Sequence, residues 1–423
     1  MARPEVPLSR DQRDALEVTI LGKKATVRPL DANESQDGVS KLRIAVHPGI
    51  PEVLDTEFYE RFYSWYRERH PLGDRLYRWV AVTPDGEVVG HVSGFPQYYR
   101  INGRRVIAYT SGDYEALPGY GFQAVMLMRT FFSTVENSVA CDMIPSVIET
   151  QNQMGTEVAG ELRYAAKLLD VSRLPMPAVP ARLRNALGRS RPTPEQVEPG
   201  GGGANLDGEE EGLEEPPQRP RAPIPAPVRF AVNSALKALD ETLARRCAGD
   251  VEVEEIERFD ESFDELFEAV AAVVPCVAEK DSAFLNWRHG PGSPQGPVKV
   301  FGVRKGQRLL GYAILKIASS SGEDGYILDL TTLPGYRKVA RALLRESVRY
   351  FREQGMSIIR YRFAESPTSP QSEDLLSMAF SYRKGRSNKL LVKFADPELH
   401  EVARNLDNWS YTIGDGEPTF WFR

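Results

Sequence analysis

Thr332–Leu344 reads TLPGYRKVARALL, and Ala116–Met128 reads ALPGYGFQAVMLM. The shared Leu-Pro-Gly-Tyr turn sits between two kinds of periodicity. Before it, apolar residues alternate as in a strand; after it, they recur at helical spacing. Val339, Leu343, Leu344, Val348 and Phe351 form one helical face, which stops near Gly355; Phe122, Val125, Met126 and Phe132 form the other. A strand that turns sharply into a helix aims the first N–H groups of the helix outward, where they and the helix dipole suit a phosphate. The two copies differ in their fitness for that task. Arg337-Lys-Val-Ala-Arg-Ala342 combines three cations with small residues, whereas Gly121-Phe-Gln-Ala-Val-Met126 has no cation and ends in a bulky methionine.

The repeat extends upstream of the turn. Phe62 and Trp65 precede a polar turn, then strand-like runs at Arg78–Val82, Glu87–Val92 and Val106–Glu115. Phe284 and Trp287 precede a Gly/Pro turn, then runs at Val298–Val303, Leu309–Leu315 and Tyr326–Leu330. Gly90 and Gly311 hold matching places, and Asp113 and Asp329 each lie five residues before the motif proline. This matched order reads as an internal duplication. A strand follows each helix, at Ala140–Ile144 and Ser357–Tyr361, and the first half then predicts a late helix at Val158–Leu169 carrying Tyr164. The expected fold class is α/β, with two tandem domains, each a mixed, mostly antiparallel sheet flanked by helices.

A Gly-, Glu- and Pro-rich stretch, with four consecutive glycines at Gly200–Gly203, separates the copies and cannot bury a core. The expected organisation is an N-terminal segment over 1–23, a domain over 24–187, a disordered linker over 188–227 and a second domain over 228–423. The 423 residues carry a net charge of −6 with both signs mixed, and 41% are apolar. No basic arm points to nucleic acid. The three cysteines, Cys141, Cys247 and Cys276, lie far apart, and the five histidines show no metal-ligand spacing. No metal is expected. Neither a signal peptide nor a run of ~18 apolar residues is evident, so the expected location is the cytoplasm. High Ala, Arg, Gly and Pro usage fits a bacterial source.

The Arg337–Ala342 turn, with Pro334 and Tyr336 just before it, resembles the pyrophosphate loop of the GNAT acyltransferases, whose pattern is Gln/Arg-x-x-Gly-x-Gly/Ala. Arg337 matches the first position, Ala340 stands where glycine is usual, and Ala342 fits the last. The resemblance covers roughly 27–175 and 251–422. Phe284–Arg288 and Trp409–Asp415 further resemble tandem-GNAT proteins found among bacterial polysaccharide and secondary-metabolite genes.

The resemblance implies transfer of an acyl group from an acyl-CoA such as acetyl-CoA to an amine of a sugar, amino acid or small metabolite. It places the co-substrate on Leu330, Thr331 and Leu333 of the strand and on Arg337, Lys338, Val339, Ala340, Arg341 and Ala342 of the turn. Asp329 and Asp113 become candidate bases or amine anchors. Glu115 shares the Asp113 face by strand alternation. The tyrosine that protonates the leaving thiolate usually precedes a Gly-Phe dipeptide in the last helix. Here the equivalent helix, Glu373–Met378, has none, and Tyr382 just beyond Ala379-Phe380 is the substitute. Trp65 and Trp287 read as packing residues. Two alternatives stay open: a FemAB-like aminoacyl transferase, and a tandem scaffold that has lost catalysis. The expected partners are a small amine acceptor and, through the duplication, a homodimer or an intramolecular pseudo-dimer.

Overall fold

The computed structural model describes residues 24–31, 34–48, 50–172, 224–247, 251–318, 324–383 and 388–421. Most of the expected linker, 188–223, lies outside the described residues, as does the N-terminal segment. In chain order the elements are β1 (Thr26–Pro29), α1 (Asp37–Val46), α2 (Thr56–Arg69), β2 (Tyr77–Val82), β3 (Val88–Ile101), β4 (Arg104–Ala116), α3 (Gly121–Thr134), β5 (Ser138–Asp142), α4 (Pro145–Gln153), β6 (Glu157–Glu161) and β7 (Arg163–Leu168). There follow α5 (Ala226–Cys247), β8 (Glu254–Glu255), α6 (Glu261–Ala271), β9 (Cys276–Ala278), α7 (Ser282–His289), β10 (Lys299–Lys305), β11 (Arg308–Ile317), β12 (Asp324–Thr332) and α8 (Arg337–Glu353). The chain closes with β13 (Ile358–Phe363), α9 (Ser372–Ser377), β14 (Ser381–Tyr382), β15 (Lys389–Lys393), α10 (Pro397–Ala403) and β16 (Trp409–Ser410), then two short 3-10 turns, Ile413–Asp415 and Glu417–Trp421.

These elements build two mixed sheets flanked by helices. Among the described residues the first runs β1-β2-β3-β4-β5-β15-β6, with β9 paired to β3 and β16 paired to β9, and the second runs β14-β7-β13-β12-β11-β10-β8. Each sheet therefore borrows from the other half of the chain. β7 pairs antiparallel with β13, from Leu168 opposite Ile358 to Arg163 opposite Phe363. β15 inserts between β5 and β6. The expected helix over Val158–Leu169 is corrected here to two strands. Its Tyr-Ala-Ala centre carries no strand period, and partners almost two hundred residues away supply the ladder that overrides local preference.

Both Leu-Pro-Gly-Tyr corners have one geometry. Tyr120 N–H donates to Leu117 O at 3.1 Å and Tyr336 N–H to Leu333 O at 3.2 Å. Gly119 and Gly335 take positive φ of 88° and 80°. Proline presets the first turn residue and only glycine accepts the second without cost, so the corner is a type II turn. Gly90 and Gly311 let each following helix lie against its sheet: a Cβ would meet Leu127 of α3 at 2.8 Å in one case and Val339 of α8 at 3.0 Å in the other.

Helix α8 buries Val339, Ala340, Leu343, Leu344, Ser347, Val348 and Phe351 along one face and leaves its arginines outside. Helix α2 starts at Asp55, whose carboxylate accepts the Phe58 N–H at 3.0 Å, and buries Phe58, Tyr59, Phe62, Tyr63 and Tyr66. That aromatic face joins one core running through both halves, from Phe58 and Phe95 to Trp287, Phe351 and Phe420.

Candidate functional site: a cleft at the strand-to-helix corner

β12 and β13 pair in parallel only from Asp324–Ile358 to Ile327–Tyr361, then diverge. At the mouth of this split, beside the N-terminus of α8, lies an open cleft of about 580 Å³. Thr332, Gly335, Tyr336, Arg337 and Ala340 form the helix side, and Glu365, Ser366, Ser369 and Gln371 form the opposite wall. A Cβ at Gly335 would meet nothing within 4 Å, so the main chain there faces open space. The Val339 and Ala340 N–H groups both donate to Tyr336 O, at 2.9 and 3.2 Å, so the start of α8 offers an anion the N–H groups of Arg337 and Lys338, beside small residues at 335 and 340 and a half-exposed Arg337.

The cations of the turn are also held in place. Arg337 pairs with Glu373 at 2.7 Å and Asp374 at 3.1 Å, and Arg341 Nε donates to Asp374 at 2.7 Å. Asp374 is fully buried at the start of α9. Its hydrogen bonds, then those of Glu373, hold the Arg337 guanidinium firmly protonated. Lys338 is exposed, whereas Val339 and Ala342 face the core. Leu330, Thr331 and Leu333 are buried on β12 and at its end.

The other expected site residues fall in three places. Asp329 lies inside the second unit, where its carboxylate accepts from the Tyr312 hydroxyl at 2.7 Å and Thr331 Oγ1 at 2.9 Å and pairs with Lys280 at 3.0 Å. Lys280 also reaches Asp415 at 3.3 Å, and these two carboxylates keep the ammonium protonated against its burial. Tyr382 sits on β14, and its hydroxyl donates to Ser372 Oγ at 3.0 Å. Ser372 in turn donates to Glu365 at 3.1 Å, so Tyr382 connects to the cleft wall through one side chain.

Asp113 and Glu115 belong to the first unit. Asp113 breaks the register between β3 and β4 and takes a positive φ of 50°. Its carboxylate receives Arg43 Nε at 2.9 Å and the Tyr63 hydroxyl. Burial opposes ionisation, but Arg43, then His91, hold Asp113 well below the usual carboxylate range. His91 is itself pushed down to about 4 by burial, so it acts as a neutral donor. Arg78 Nε donates to its Nε2 at 3.2 Å, which leaves Nδ1 to meet the Asp113 carbonyl at 2.9 Å. Glu115 pairs with the half-exposed His47 at 3.4 Å. Burial raises the Glu115 carboxyl, and the hydrogen bond to Glu115 raises the His47 imidazole. Each unit thus has a buried aspartate held by a cation and a tyrosine, and the cleft with cations described above belongs to the second.

Residues 256–376 match the acetyltransferase (GNAT) family. The GNAT match spans less than a third of the chain and contains the split between β12 and β13 and the α8 turn. Two solved structures share the fold. A conserved protein of Enterococcus faecalis, described as a probable N-acyltransferase, is 11% identical, covering 89% of this chain and 74% of its own with a TM-score of 0.50. A GCN5-related N-acetyltransferase of Kribbella flavida is 13% identical, covering 90% and 74% with a TM-score of 0.50. No curated protein matches the chain. Among the described residues no group of three or more His, Cys, Asp or Glu could hold a metal ion, and no helix is long and apolar enough to cross a membrane.

Sequence reading missed Glu365, Lys280, Asp415 and Arg43. The run Glu365-Ser-Pro-Thr-Ser-Pro-Gln371, a polar turn directly after β13, was the one local signal. The others meet their partners only through long-range packing.

Proposed function

We propose that the chain is an acyl-CoA-dependent N-acyltransferase whose co-substrate lies in the cleft at the N-terminus of α8. The observation that carries this reading is the cleft itself: about 580 Å³, open at the split of two parallel strands, with Gly335, Arg337 and Ala340 on the side of the helix dipole's positive end. The GNAT match over the same residues supports it.

A CoA thioester would supply an activated carbonyl. The acceptor's ammonium first gives a proton to solvent, the free amine then forms the new C–N bond as the C–S bond breaks, and the released thiolate takes up a proton to leave as free CoA. Arg337 and Lys338 hold the phosphates with their side chains and their main-chain N–H groups. Glu365, fixed by Arg163 at 2.8 Å, anchors the acceptor's ammonium on the opposite wall. Tyr382, whose hydroxyl donates to Ser372 next to Glu365, is the candidate acid for the leaving thiolate. Asp329 and Asp113 act from behind, by holding the central strands through Lys280 and Arg43. In this reading the two units derive from one duplicated fold, the first has given up pyrophosphate binding, and the acceptor is a small-molecule amine.

Calorimetric titration of the full chain with CoA and acetyl-CoA tests the reading, followed by thiol release with a panel of amines. Binding by the wild type and at least tenfold weaker binding by Arg337→Gln is expected. Absence of heat with every CoA compound would overturn it.

A further inference from the structure

The split between β12 and β13 does not continue inward as an open slot. Thr332 N–H, at the end of β12, donates to Thr368 O at 2.8 Å, which closes the cleft floor. Behind it, Thr368 Oγ1 meets Ser410 Oγ at 3.1 Å. The chain that follows Ser410 then fills the gap. Thr412 bridges to Phe363 of β13, and Ala364 N–H donates to Tyr411 O at 2.7 Å. On the other side Gly414 lies so close to β12 that a Cβ would fall 2.5 Å from the Leu328 carbonyl oxygen.

The same segment closes the corresponding gap of the first sheet. β4 and β5 are paired only at Tyr109–Ser138 before they part. Glu417 packs over Gly112 of β4, where a Cβ would meet its Cγ at 2.4 Å, and its carboxylate accepts the Asp113 N–H at 3.2 Å. A Cβ at Gly416 would touch Cys141 of β5 at 3.6 Å. Gly112 and Leu328 each directly precede the matched aspartate. One stretch, Tyr411–Glu417, therefore fills equivalent openings in both sheets.

We infer that this segment sets acyl length and restricts the chain to acetyl-scale thioesters. The inference rests on the cleft being the CoA site. A ligand whose phosphates lie at Arg337 and whose chain runs along β12 reaches the Thr332–Thr368 closure, with Ile413 and Gly414 beyond it. A slot that accepted a longer acyl chain would gain about fourfold in affinity for each buried methylene. A closed slot gains nothing.

The test is calorimetric titration of the full wild-type chain with CoA, acetyl-CoA, butyryl-CoA and octanoyl-CoA. Octanoyl-CoA is expected to bind no more tightly than acetyl-CoA, and Ile413→Ala, which opens space in the gap, to shift preference toward butyryl-CoA by at least about fivefold. A steady gain in affinity from acetyl- to octanoyl-CoA in the wild type would overturn the gate while leaving the CoA site intact. Failure of CoA itself to bind would overturn the site and the gate with it. The wild-type series decides the question even where Ile413→Ala folds poorly.

Discussion

The indole of Trp65 lies flat on the indole of Trp287, with ring centroids 4.5 Å apart and planes 8° from parallel. The two residues end the matched Phe-x-x-Trp pairs of the two halves, on α2 and α7, and here they meet face to face. Tyr66 and His70 pack against Trp287, at 5.1 and 4.3 Å between centroids. The matched feature thus serves as a clasp between the two halves of the chain. Burial pushes the His70 imidazole down to about 3, so it stays neutral inside the clasp.

Trp287→Ala should destabilise the fold by roughly 3–5 kcal/mol, the usual cost of emptying a buried tryptophan site. Trp65→Ala should cost less, because Trp65 is only partly buried. A double-mutant cycle should give a coupling of about 1 kcal/mol for the stack, read from urea unfolding. Strict additivity would show that the rings merely neighbour each other.

The proposed phosphate site at α8 should reveal itself in salt dependence. Lys338→Gln and Arg337→Gln should each weaken CoA binding by about tenfold at low ionic strength and by less at 0.5 M salt, because screening weakens exposed phosphate contacts. Lys338→Gln should leave thermal stability unchanged, since its side chain is exposed. Equal affinities of the variants and wild type would move the phosphates away from this helix.

Glu417 should make stability fall as pH rises through neutrality. Burial pushes its carboxyl up to about 7, from about 4.3 in an unfolded chain. Between those values the native state holds more protons than the unfolded state, so the contribution is full below the window and lost above it. The loss is on the order of 3 kcal/mol by pH 8. Glu417→Gln keeps an acceptor for the Asp113 N–H and removes the charge. The melting temperature of Glu417→Gln minus that of wild type should therefore be larger at pH 8 than at pH 5.

Arg43 and Asp113 should behave as an inseparable buried pair. Arg43→Met should cost roughly 3–5 kcal/mol, because it strands a carboxylate that is almost fully buried. Asp113 has a depressed folded-state pKa, so its contribution is present above about pH 4 and fades as pH falls. Asp113→Asn should flatten the acid limb of a stability–pH profile. An unchanged acid limb would remove Asp113 from that role.

Local chemistry in the sequence was enough for much of this. Proline and glycine in Leu-Pro-Gly-Tyr dictate a type II corner wherever they occur in this context, and helical spacing after Arg337 dictates which face of α8 packs. Hence the α/β class and the corner were legible in single stretches of chain. What lay beyond reach was every feature set by partners distant in sequence. Arg163–Leu168 is a strand because β13 pairs with it, and β15 belongs to the first sheet because β5 and β6 leave a gap. The strand position of Asp329 makes it a candidate base, but its pairing with Lys280, which also reaches Asp415, comes from segments distant in sequence. Likewise, nothing local in Tyr411–Glu417 indicates that it fills the openings of two sheets. Short-range periodicity and turn chemistry act within a few residues, whereas burial, ion pairing and the closure of a slot depend on which distant segments the folded chain brings together.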